Sequence, residues 1–285
     1  MNHQAKNLES LTSSNFKSNA KFIAITSGKG GVGKSNISAN LSYTLSKLGY
    51  RVGVFDADIG LANLDLIFGI KTNKNILHAL KGEVSFKEVM YEINKNLFLI
   101  PGDSGEEILK YANEETLSDF ANDEEVFNAF DYVIVDTGAG ISQVNQAFLQ
   151  ASDYIIVVTT PEPSSKTDAY ATMKVCSKFK NECLLLVNMA SNETQINQVA
   201  STLYSVAHNN IPNFEIIVLG GFTYNEAVKK AILNRKLITQ VEPMNAFSVS
   251  MNQVASSLID KVERNMLQKP KNSIGSFFKK FLGYL

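Results

Sequence analysis

Two lysines stand five positions apart in TSGKGGVGKSN, residues 26–36. Gly28, Gly33, Lys34 and Ser35 fill the pattern G-x-x-x-x-G-K-[ST], which suits the binding of a nucleoside triphosphate. Glycines let backbone N–H groups wrap phosphates closely, and a helix N-terminus adds positive potential. Lys34 then neutralises β- and γ-phosphate charge, and the Ser35 hydroxyl ligates Mg²⁺. The bland alternative is a glycine-rich turn. A strand-like run before the loop and a helical pattern after it argue against that reading. The residues set to touch nucleotide are Gly28, Lys29, Gly30, Gly31, Val32, Gly33, Lys34, Ser35 and Asn36.

Acids at two strand ends complete the pattern. Asp136 closes DYVIVD and precedes Thr137, Gly138, Ala139 and Gly140. An acid at the C-terminal end of a parallel strand lies in the ligand crevice, where it would hold the metal through water. The glycines behind it can approach the γ-phosphate and move when it leaves. Asp56 and Asp58, in FDADIGLANLD, enter the same crevice. One of them suits the metal shell and the other suits orienting the attacking water.

The elements that must position these residues are legible as runs. KFIAITS (21–27), RVGVFD (51–56), NLFLIP (96–101), DYVIVD (131–136), DYIIVVTT (153–160), CLLLVN (183–188) and EIIVLGG (215–221) read as strands. Their apolar runs are continuous, as for strands covered on both faces. Helical patterns lie between them, at 36–49 with Gly49 as a stop, at 164–179, and last at about 244–267. The expectation is a single α/β domain with a mostly parallel sheet flanked by helices on both faces. Residues 1–20 read as a polar arm, 21–267 as the domain, and 268–285 as a linker and a short terminal helix.

Bulk properties narrow the classes. The chain has 285 residues, is 45% hydrophobic and carries net charge -1. Near-neutrality argues against a globally basic nucleic-acid binder, so no direct nucleic-acid contact is expected. Cys176 and Cys183 are too few for a disulfide framework, which suits a reducing cytoplasm. His3, His78 and His208 are scattered and show no metal-ligand spacing. No apolar run reaches the ~18 residues a spanning helix needs. At most, the protein is expected to lie peripherally on a membrane.

The terminal segment SIGSFFKKFLGYL supplies a means of attachment. Ile274, Phe277, Phe278, Phe281, Leu282 and Leu285 form one helical stripe, flanked by Lys279 and Lys280. Such a helix suits the interface of an anionic leaflet. A core helix or a partner-docking helix is the alternative. One such helix binds marginally, whereas two in a dimer bind far better.

The loop GKGGVGKS, with a lysine straight after the first glycine, resembles the deviant Walker A loop of the MinD/ParA class of ATPases. That resemblance runs from about residue 21 to the end. It implies a P-loop NTPase fold of the MinD/SIMIBI type and Mg²⁺-dependent ATP hydrolysis. It also implies an ATP-state homodimer in which Lys29 reaches the partner's nucleotide while Lys34 serves its own. DADIGLANLD resembles the family's switch I, with Asp58 as the catalytic acid, and DTGAG resembles switch II. By the same similarity Asn188 lies near adenine. GKSN, DTGAGIS, TTPEPSSKTDAY and VNMA are most similar to the FlhG branch, regulators of flagellar number and placement. Those proteins work with an SRP-type GTPase, FlhF, through an N-terminal D-Q-A-x-x-L-R element. HQAKNLE (3–9) keeps Gln4, Ala5 and Leu8, but His3 and Glu9 reverse the charges. The departures at Tyr224 and Asn225 bear on the adenine side. A MinD-like role at the division site, a ParA-like partitioning role, an iron-sulfur carrier and a non-enzymatic adaptor are the rival readings. On the leading one, the protein works in the cytoplasm and reversibly on the inner face of the membrane, with flagellar basal-body or transcriptional partners beyond the GTPase.

Overall fold

In the computed structural model, β1 (Lys21–Ser27) runs up the middle of an eight-stranded sheet. The structure describes residues 20–58, 63–102 and 130–264, with 277, 280, 281, 283 and 284 of the tail. Gln4 and the arm up to residue 19 lie outside these residues, as do Ile274, Phe278, Lys279, Leu282 and Leu285. The described strands are β1, β2 (Val52–Ala57), β3 (Tyr91–Asn94), β4 (Leu97–Ile100), β5 (Tyr132–Ala139), β6 (Tyr154–Thr159), β7 (Glu182–Ala190) and β8 (Glu215–Thr223). Their order across the sheet is β3-β4-β2-β5-β1-β6-β7-β8. Every pairing is parallel except β3 with β4.

Among the described residues of the domain the α-helices are α1 (Lys34–Lys47), α2 (Leu64–Phe68), α3 (Ile76–Leu80), α4 (Gln143–Ala151), α5 (Pro163–Cys176), α6 (Glu193–Asn210), α7 (Glu226–Leu233), α8 (Ile238–Val241) and α9 (Ala246–Arg264). Strand side chains alternate between two cores, as the two-residue repeat demands. Phe22 and Ala24 of β1 join Phe148, Met173 and Val199 on one face. Ile23 and Ile25 join Ile37, Leu41, Val254 and Leu258 on the other. This gives one α/β domain with helices on both faces of the sheet, as the apolar runs predict.

Phe277 and Phe281 of the tail belong to the first core. Phe277 stacks on Phe22 at 4.4 Å between ring centroids, and Phe281 stacks on Phe148 at 4.2 Å. Both rings are buried, while Lys280 is exposed. Two members of the expected lipid-facing stripe therefore face the protein interior in this structure. The physical reason is direct. A buried Phe side chain contributes about 1.5–3 kcal/mol, and an aromatic pair adds about 0.5–1.5 kcal/mol. The aromatic face of the sheet offers both gains within the chain itself.

Candidate nucleotide site

The chain leaves β1 at Ser27 and enters α1 at Lys34, so residues 28–33 form a loop at the C-terminal edge of the sheet. Gly33 caps α1 with φ 91° and ψ 21°, a left-handed conformation that favours glycine. A Cβ there would also stand 2.5 Å from Asn188 Nδ2. Asn188 is buried, and its amide donates to the Val32 carbonyl at 2.8 Å. In this geometry Asn188 braces the phosphate loop from below. Asn36, also expected at the nucleotide, accepts from Asn40 through its carbonyl and its Oδ1. Asn40 in turn accepts from Thr239.

Lys34 is buried on the inner side of the loop, close enough to Asp58 and Asp136 to influence both carboxyls. Asp136 is fully buried. It accepts from the Ser38 hydroxyl at 2.8 Å through Oδ1, and the Ser35 hydroxyl lies close enough to favour the charged carboxylate. Burial pushes its pKa up to about 6, against the pull of the two hydroxyls and Lys34. Its Oδ2 is buried without a hydrogen-bond partner. A buried carboxylate oxygen left unmade costs about 1–3 kcal/mol or more, so a site for a cation or its water shell is physically sensible there. Mg²⁺ needs only one or two protein ligands beside phosphate oxygens and waters. The residues therefore fit it, although no group of three or more His, Cys, Asp or Glu side chains suited to a metal occurs among the described residues.

Asp56 sits beside Asp136 on the neighbouring strand, at paired positions in the β2–β5 register. Burial, then the charge of Asp136, pushes its pKa up to about 7. Its oxygens are already engaged. Oδ1 accepts from Asp58 N at 3.3 Å, and Oδ2 accepts from Asn63 N at 3.0 Å and Leu64 N at 3.1 Å. As placed, Asp56 fastens the chain that leads into α2, whereas the sequence suggests a metal ligand at this position. Asp58 is half-buried, and its pKa is raised by burial against the pull of Lys34.

Lys29 points elsewhere. Its Nζ donates to Glu162 Oε2 at 2.7 Å and to Ser164 Oγ at 3.1 Å. It lines a cleft of about 350 Å³ together with Gly30, Gly31, Thr160, Met189 and Tyr224. Asn225 does structural work, capping α7 by accepting from Ala227 N at 2.9 Å. Tyr224 is an exposed ring at the cleft wall.

Two participants are not singled out by the sequence pattern: Glu162 and Ser38. Ser38 lies one helical turn after Lys34, so its spacing is a signal that could have found it. Glu162 acts through a contact with Lys29, 133 positions away, that only the fold creates. The sequence assigns Thr137 to the switch. It lies buried, with its hydroxyl donating to Ile25 O at 3.0 Å.

A phosphate loop between a central parallel strand and its helix, with acids ending the adjacent strands, defines a P-loop NTPase. Residues 18–259 match the family model described as "ParA: NUBPL iron-transfer P-loop NTPase". The chain belongs to the ParA family, and it is an ATPase. It is 52% identical to the flagellum site-determining protein YlxH of Helicobacter pylori, over 100% of both chains. It is 29% identical to the antiactivator FleN of Pseudomonas aeruginosa, over 83% of this chain and 85% of that one. Among solved structures, the MinD cell division protein of Aquifex aeolicus superposes with TM-score 0.67 at 25% identity, covering 85% of this chain and 97% of that one.

Proposed function

We propose that this chain is an ATP-driven, reversibly dimerising switch on the membrane surface that regulates flagellar number and placement together with an SRP-type GTPase. The observation that carries the reading is the division of labour between the two lysines. Lys34 is buried on its own phosphate site, whereas Lys29 is tethered at the rim of an open cleft. A lysine held outside its own site supports the reading that it serves a second copy. Mg²⁺ would be held by Ser35 and, through water, by Asp136, where it supplies charge neutralisation on the phosphates. Asp58 would orient the attacking water, with its pKa raised by burial.

The tail fits the same cycle. With Phe277 and Phe281 inside the protein, these members of the membrane-facing stripe are hidden. ATP-dependent dimerisation would release it, and two released tails would hold an anionic surface where one holds it marginally. The high full-length identity to YlxH favours the flagellar role over division-site placement. The iron-carrying reading of the family description suits this chain poorly. Both cysteines are buried, and burial pushes the Cys176 thiol up to about 12. Deleting the gene and counting flagella per cell tests the proposal. Altered number or position with normal septa supports it. Normal flagella with misplaced septa would transfer the protein to division.

A further inference from the structure

We infer that Asn145 is a positioning residue that links the γ-phosphate-sensing loop to the seat of the tail. The link rests on reading residues 137–140 as that loop. Asn145 lies in the first turn of α4 and is buried. Its backbone N–H is already served by the capping hydroxyl of Ser142 at 3.2 Å. Its side-chain amide turns to the loop and donates to the carbonyls of Gly138, Ala139 and Gly140 at 3.1, 3.3 and 3.2 Å. A Cβ on Gly138 would stand 3.0 Å from Asp58 Oδ1 and 3.4 Å from both polar atoms of Asn145, so these three residues meet at one point. The amide has two protons and faces three acceptors. The loop can therefore exchange partners on Asn145 without abandoning it.

One turn along the same helix stands Phe148, the ring on which Phe281 stacks at 4.2 Å. Phe148 also meets Phe277, at 6.4 Å, and Phe55 near the end of β2, at 5.8 Å. Residues three apart share a helix side and lie about 4.5 Å apart along its axis. Interiors are close-packed, so a movement of the loop that draws on Asn145 displaces Phe148 as well. A gap of about 0.5–1 Å forfeits a quarter to a half of a contact's attraction. Sub-ångström travel of α4 is thus enough to weaken the tail's seat. At Gly140 itself the loop is also tied toward the phosphate loop, where Gly140 N donates to Ser27 O at 2.8 Å and Ser27 Oγ donates to Lys29 O at 2.7 Å.

Hydrogen exchange on the full chain tests this, read at residues 268–285 without nucleotide, with Mg-ADP, and with a non-hydrolysable Mg-ATP analogue. In the parent, the ATP analogue should speed tail exchange about tenfold relative to Mg-ADP. Asn145→Ser has a shorter arm and one proton, and should lose that difference while still binding nucleotide. Ser142→Ala weakens the helix cap but keeps the amide, and should retain the difference. The inference is overturned if Asn145→Ser responds like the parent. It is equally overturned if Ser142→Ala loses the response as fully as Asn145→Ser does, because the role would then be helix stability. Light scattering on the same samples separates the underlying readings. A parent that dimerises with ATP but shows no tail response sinks this link and leaves the dimer reading standing.

Discussion

Replacing Glu162 by Gln should make the ATP-state dimer form more readily. In the structure, Lys29 Nζ lies 2.7 Å from Glu162 Oε2, with side chains 41% and 64% exposed. An ion pair this exposed is worth about 0.2–1 kcal/mol after solvent screening. In the proposed dimer Lys29 would leave it to reach the partner's phosphates, and a symmetric dimer would break two such pairs. The retained cost is therefore about 0.4–2 kcal/mol, equivalent to roughly 2- to 30-fold in the dimer association constant. Glu162→Gln removes the charge but preserves the side-chain shape. Sedimentation velocity with ATP, in an Asp58→Ala background that stops turnover, measures the shift. ATP affinity of the monomer should stay unchanged, because Lys34 still holds its phosphates. The gain should shrink as salt rises toward about 0.5 M, where exposed charges are screened. A weaker dimer in Glu162→Gln is the contrary outcome. It would mean that Glu162 receives the partner's lysine rather than restraining its own.

Three further outcomes follow from the same geometry. Asp58→Ala should bind ATP and dimerise but turn over at least about a hundredfold more slowly, as expected for loss of a water-orienting group; parent-like hydrolysis in single-turnover assays would move the role to another acid. The nucleotide-free protein should lose thermal stability as pH rises from about 5 to about 7. The pKa values of Asp56 and Asp136 are raised to about 7 and about 6, so the folded state binds more protons than the unfolded chain across that window and stability falls as they dissociate. A tenfold difference in proton affinity between the folded and unfolded states is worth about 1.4 kcal/mol, and Mg-ATP should flatten the slope; a melting temperature that rises over the same range would contradict this. Phe148→Ala removes the ring under Phe281. Anionic vesicles should then take up the ADP form nearly as well as the ATP form, and continued dependence on ATP would show that the seat does not hold the tail.

Much of the fold is written in local pattern. The strand of KFIAITS ends where its apolar run does, and the phosphate loop announces itself by residue type alone. The strand at Tyr91–Asn94 leaves no such mark, because it is a short, half-exposed edge strand with no apolar run. Helix ends differ by a few residues because capping, not periodicity, sets them. The site is legible where a residue's place is fixed by its own loop, as for Lys34 and Ser35. It is not legible where a contact spans the chain. Lys29 and Glu162 are 133 positions apart, and nothing near either residue signals the pair. The tail shows a third limit. Its amphipathic stripe is plain, but a stripe records only that something must cover it, and for Phe277 and Phe281 the cover in this structure is the protein's own aromatic rings.

The most direct test of the two-lysine account is ATP-dependent self-association of Lys29→Ala beside Lys34→Ala, measured with nucleotide affinity on the same samples. The account predicts that Lys34→Ala loses nucleotide binding, and with it every later step. Lys29→Ala should bind ATP as a monomer close to the parent's affinity, yet fail to dimerise. Equal loss of nucleotide affinity in both variants, or a normal ATP dimer in Lys29→Ala, would contradict it.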